Sequence, residues 1–89
     1  MKAVITVTGR DSVGIIAKVA AACAENGANI VDISQSVLKE YFAMIMLAEL
    51  DGLNVSFSEF ADELTALGKE KGLAIHTMHE DIFNTMHHI

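Results

Sequence analysis

The 89 residues contain no proline, a single cysteine and only six lysines and arginines, and each shortage excludes something. With no proline and no linker-like or low-complexity stretch, nothing divides the chain. Residues 1–89 read as one domain, near the size at which a single core suffices. The lone Cys23 cannot form an internal disulfide, which points to a reducing compartment. Six basic residues against twelve acidic ones leave a formal charge of −6. Nucleic-acid binding needs a basic face, and an anionic membrane surface would repel this chain, so neither is expected as a partner. No apolar run approaches the roughly 20 residues needed to span a bilayer. Residues 1–6 read as strand rather than secretory leader, and cytoplasmic location is the expectation.

Apolar residues, by contrast, are plentiful, at 52% of the chain with a mean hydropathy of +0.38. So small a domain cannot hide that much in its own core. Part of its surface is expected to meet a partner, most simply a second copy in a two-fold homodimer.

Along the chain, Ala3, Ile5 and Val7 alternate with Lys2, Thr6 and Thr8, a half-buried strand. Gly14 to Asn26 predicts a helix, with Ile15, Val19 and Ala22 at helical spacing and Gly27 ending it in a left-handed turn. Ala28 to Leu38 is extended, but Ile30 and Ile33 cannot share a face of a regular strand. A bulge near Val31-Asp32 would turn both inward. Lys39-Glu40 joins this run to Tyr41–Leu50 as a hairpin. That third strand is apolar on both faces, which predicts a central strand covered on both sides.

Ser56 with Glu59 matches a capping box and opens a second helix, whose stripe is Phe57, Phe60, Ala61, Leu64 and Leu67. Gly72 ends it, and Leu73 to Glu80 is a fourth strand. The tail, residues 81–89, sets Ile82, Phe83, Met86 and Ile89 on one helical face. The order β-α-β-β-α-β with right-handed crossovers predicts an α+β, ferredoxin-like sandwich. Its antiparallel four-stranded sheet has order 4-1-3-2, with two helices on one face.

The turn from Val7 to Ile15 concentrates the chemistry. Gly9 and Gly14 have P-loop spacing, yet Ile15 and Ile16 stand where Lys and Ser or Thr would be needed, which excludes phosphate–metal chemistry. A helix N-terminus there offers free N–H groups to a carboxylate. Asp11 can hold an α-ammonium or, like Ser12, simply cap the helix. Arg10 is a carboxylate clamp or a solvated loop charge. The histidines, His76, His79, His87 and His88, crowd the C-terminal end, but His76 and His79 have opposite strand parity, so no metal site is expected. Cys23 lies among apolar residues and reads as inert packing. No acid–base pair or nucleophile set emerges, so an enzyme is not expected.

Thr8-Gly9-Arg10-Asp11-Ser12-Val13-Gly14-Ile15, Gly27-Ala28-Asn29-Ile30 and Asp32-Ile33-Ser34-Gln35, set in this element order, resemble the ACT domain family. Within it the chain is similar to the stand-alone single-domain proteins related to the glycine cleavage system repressor. The resemblance spans essentially the whole chain. It implies dimers that extend or stack the sheets, and a small-molecule ligand, an amino acid or similar metabolite, at a subunit interface by the first strand-to-helix turn. On matching positions the site is Gly9, Arg10, Asp11, Ser12, Val13, Gly14 and Ile15, with Asn29 and Ile30 from the second strand. No cofactor is implied. With no enzyme attached, the expected output is a changed contact with a regulated protein partner. The alternative is a ligand-free interaction module that docks a partner through its sheet face and C-terminal tail.

Overall fold

The alternating N-terminal run forms β1, Lys2–Arg10, with Ala3, Ile5 and Val7 fully buried on one face. There follow α1, Ile15–Glu25; β2, Asn29–Leu38; β3, Tyr41–Glu49; α2, Phe57–Glu70; β4, Ala74–His79; and α3, Glu80–Met86. The computed structural model describes residues 1–10 and 14–86. The strands pair antiparallel in the order β2-β3-β1-β4, the ferredoxin-like arrangement that the crossovers require. Ile15, Val19 and Cys23 of α1 and Phe60 and Leu64 of α2 form one core with the buried face of the sheet.

β3 is central, as its apolar composition requires, and Met44, Met46 and Ala48 are buried beneath the helices. The expectation that its second face is also covered is corrected. Both helices occupy the first face, so Ala43 and Ile45 look outward and Ile45 stays 44% exposed. The bulge in β2 is present: Ile30 pairs with Ala48 and Asp32 with Leu47, which leaves Val31 as the extra residue. It puts Ile30 and Ile33 on the helix side, yet Ile33 is 43% exposed because β2 is the sheet's edge. In the tail, α3 packs against β1 and β4, but Ile82 points to solvent. Ile89 lies outside the described residues.

Both long helices end the same way. Ala28 N–H donates to Cys23 O at 2.8 Å and Gly27 N–H to Ala24 O at 3.2 Å; Leu73 N–H donates to Gly68 O at 2.8 Å and Gly72 N–H to Lys69 O at 3.3 Å. These are Schellman ends, which require a left-handed residue that glycine adopts without penalty. Gly27 has a second duty, since a Cβ there would strike the carbonyl oxygen of Gly52. At the start of α2, Ser56 Oγ accepts from Glu59 N–H at 3.1 Å, one half of the expected capping box. Glu49, an acid on a largely apolar strand, sits at the wet end of β3 and accepts from the Met1 amine at 3.2 Å. The same amine lies 2.8 Å from Asp51 and holds that carboxyl below its usual range.

Candidate functional site

The end of β1 and the start of α1 position the turn. Arg10 is exposed at the last position of β1, opposite Tyr41 in the register, and its guanidinium lies 5.9 Å from the centre of the Tyr41 ring. This cation–π contact directs the charge along the end of the sheet. Gly14 is the N-cap of α1 with φ 84, and the space where a Cβ would stand is open. Glycine is therefore used there for its backbone conformation rather than for room. It offers no side chain to cap the helix, and the first turn of α1 has no acidic residue. α2, by contrast, begins with Ser56 and Glu59. The positive pole of α1 is thus not offset by its own first turn. The roles read for Asp11, Ser12 and Val13 fall outside the described residues. Ile15, the first helical residue, is buried in the core rather than presented at the turn.

Beside the turn lies a cleft of about 360 Å³ lined by Thr8, Gly9, Ser36, Tyr41, Phe42 and Ala43. Thr8 pairs with Ala43 and Ala43 with Ser36, so these residues share the sheet face away from the helices. A Cβ on Gly9 would run into the Leu73 side chain, so backbone forms that wall. The turn end of the sheet therefore collects the Arg10 guanidinium, the hydroxyls of Thr8 and Ser36, the Tyr41 phenol and a helix N-terminus.

Asn29 and Ile30 are not there. Asn29 is exposed and pairs with Glu49, which pairs with Lys2 at the beginning of β1. Eight residue steps of extended chain, roughly 27 Å, separate that end from Arg10. One chain does not bring the two halves of the sequence-derived site together.

The remaining candidates stay apart. His76 pairs with Thr6 and His79 with Ala3, on opposite faces, and the His79 ring stacks on Phe57 with centroids 4.1 Å apart. His87 and His88 lie outside the described residues. Among the described residues, no group of three or more His, Cys, Asp or Glu converges as metal ligands. Cys23 is 1% exposed. Burial, aided by the nearby Glu63 carboxylate, pushes its thiol up to about 11, so it is a protonated packing group at neutral pH.

One polar cluster escaped the sequence reading. Asn26 is 7% exposed, and its Nδ2 donates to Ala22 O at 2.8 Å and to Glu63 Oε2 at 3.1 Å. Asn54 N–H donates to Asn26 O at 2.9 Å and Asn54 Nδ2 to Glu25 O at 3.0 Å. Together they fasten the loop before α2 to the end of α1. The only signal was an Asn-Gly pair at a helix end, which reads equally well as an ordinary turn.

Residues 2–78 match the ACT domain family. A UPF0237 protein of Clostridium acetobutylicum is 49% identical over 89 residues, the full length of both chains. An ACT domain protein from Streptococcus pneumoniae has a solved structure similar to this one, with a TM-score of 0.80 and 42% identity over 93% of each chain. The structure of a candidate glycine cleavage system transcriptional repressor gives a TM-score of 0.68 at 26% identity. That match covers 85% of this chain and 43% of the other.

Proposed function

The chain belongs to the ACT domain family of small-molecule-binding regulatory domains, and on that premise we propose that it is a cytoplasmic, homodimeric sensor of a free amino acid. It signals by changing its contacts with another protein. The observation that carries this reading is the start of α1, where Gly14 provides no cap and the first turn no carboxylate. An α-carboxylate complements that end, with Arg10 as its second cation. Asp11 takes the α-ammonium, and the ligand's side chain enters the cleft beside Tyr41. Gly9, Ser12, Val13 and Gly14 complete the ligand's surroundings, while Ile15 anchors the start of α1 in the core.

Dimerisation supplies the other half of the site. At 100° per residue, Ile16, Ala20 and Ala24 fall on the flank of α1 opposite Lys18, Ala21 and Glu25. Ile16 is exposed, as are Val31, Ile33 and Val37 on the edge strand. Two copies pairing antiparallel along β2 cover this apolar strip and join their sheets. Antiparallel pairing reverses the partner strand, so the partner subunit's Asn29 and Ile30 arrive at the Leu38 end. Leu38, Tyr41 and Arg10 are in register across three strands. Three strand spacings, roughly 14 Å, then separate Arg10 from the partner subunit's Asn29, a gap that an arginine side chain and one amino acid can bridge.

A second reading, the ligand-free module docking through its sheet face and tail, draws support from the exposed Ile45 and Ile82. A thermal-shift screen of the amino acids at millimolar concentration, on wild type and Asp11→Ala, separates the two. The sensor reading expects at least one ligand to raise Tm, and the rise to vanish in the variant. No rise with any amino acid favours the second reading.

A further inference from the structure

On the flank of α1 that faces α2, the helices leave a groove of about 380 Å³. Its floor is made of small or apolar side chains, Ala21 and Ala22 from α1 and Ala66 and Leu67 from α2. Its rim carries Glu25, Glu63 and Glu70 against the single cation Lys18. The Asn26–Glu63 and Asn54–Glu25 hydrogen bonds tie the end of α1 to the first half of α2 and the loop before it, so the helices run antiparallel. Glu25 and Glu63 therefore share one end of the groove, and Lys18 and Glu70 the other. The first end is doubly acidic and the second is balanced.

The acidic end coincides with the C-terminus of α1, the negative pole of that helix. Lysine or arginine is the usual complement there, yet the last turn of α1 has no basic residue and ends in Glu25. Asn26 Nδ2, at 3.1 Å, holds the Glu63 carboxylate beside the groove. Among the described residues, none of Glu25, Glu63 and Glu70 forms an ion pair. Two carboxylates and a helix pole thus build a negative potential next to an apolar floor, and among the described residues the groove's one cation, Lys18, lies at its other end.

We propose that this groove docks a basic amphipathic helix of a partner protein. An apolar side chain of that helix lies on the Ala21, Ala66 and Leu67 floor, and an arginine or lysine one or two turns away seats between Glu25 and Glu63. The dimensions suit a helix. Glu63 to Glu70 on α2, like Lys18 to Glu25 on α1, spans seven residues, roughly 10.5 Å, which is the i to i+7 repeat of a third helix laid along the groove. A free polyamine satisfies the charges but leaves the floor bare. The groove lies on the opposite flank of α1 from Ile16 and Ala24, so β2 pairing leaves it open. The inference stands whether or not an amino acid binds at the turn.

The test is fluorescence anisotropy of the full chain with two labelled synthetic helices that share a leucine-alanine face. One is flanked by Lys and Arg, the other by Glu. The basic peptide is expected to bind at least about ten-fold more tightly than the acidic one. Glu25→Lys, and separately Ala66→Trp to fill the floor, should each weaken it about ten-fold. Both positions are exposed, so the variants should keep the wild-type circular dichroism. Equal affinity for the two peptides overturns the proposal. So does basic-peptide binding unchanged in both variants, or displacement of that peptide by spermidine as effectively as by its unlabelled form.

Discussion

Arg10 and Asn29 sit at opposite ends of one sheet: Arg10 pairs with Tyr41, where β3 begins, and Asn29 with Glu49, where β3 ends. The two most distinctive local sequences, around the first turn and after the first helix, cannot act on one ligand within a single chain. If they act together, a second subunit must reverse the strand direction. The unpaired β2 edge, with its exposed valines and isoleucine, is the surface suited to do so.

Val37 is 63% exposed, so replacing it disturbs the lone chain little. Wild-type protein at micromolar concentration should show twice the chain mass by light scattering. Val37→Lys should halve that mass while circular dichroism stays unchanged, because a charge at an edge strand opposes pairing. A wild-type monomer contradicts the dimer.

Gly27 and Gly72 have nearly the same left-handed backbone, φ 81 and φ 71, but different neighbours. Nothing stands near a Cβ on Gly72, whereas one on Gly27 meets the Gly52 backbone. Gly72→Ala should cost about 1 kcal/mol, the strain alone. Gly27→Ala should exceed it by about 1–3 kcal/mol, because the backbone cannot rotate aside as a side chain can. Urea denaturation of the pair measures the difference, and equal losses would remove the claimed close approach.

Buried Cys23 holds its proton to about pH 11 in the folded chain, against an ordinary value of 9.0. Between these values the folded state binds more protons than the unfolded one. The thiol's contribution is therefore complete below pH 9 and is lost as pH rises to 11, at up to about 1.4 kcal/mol per unit. Stability against pH for wild type minus Cys23→Ala should show this slope, since other groups cancel in the difference. The same thiol should resist alkylation at pH 8 until urea unfolds the protein.

Much of this architecture was legible because it rests on local patterns. Alternation placed β1, helical spacing placed α1 and α2, and the phase slip between Ile30 and Ile33 revealed the bulge at Val31. Strand order followed from chain connectivity. What stayed hidden depends on contacts distant in sequence. Connectivity placed both helices on one face, but the apolar composition of β3 suggested that its second face is covered too, and Ile45 there is exposed. Asn26 looked like a turn residue because its partner Glu63 lies 37 positions away. The motif residues at the turn and at Asn29 were visible individually, while their separation appears only once register is known.

The most direct test of a site shared between subunits is complementation. Arg10→Ala and Asn29→Ala should each abolish calorimetric binding of the amino acid that most raises the wild-type Tm. When the two variants are refolded together, each heterodimer regains one intact site, from the Arg10 of one subunit and the Asn29 of the other. Binding should return at about a quarter of the wild-type stoichiometry with wild-type affinity. A mixture as silent as its components, or single variants that still bind, would contradict a ligand held between two copies of this chain.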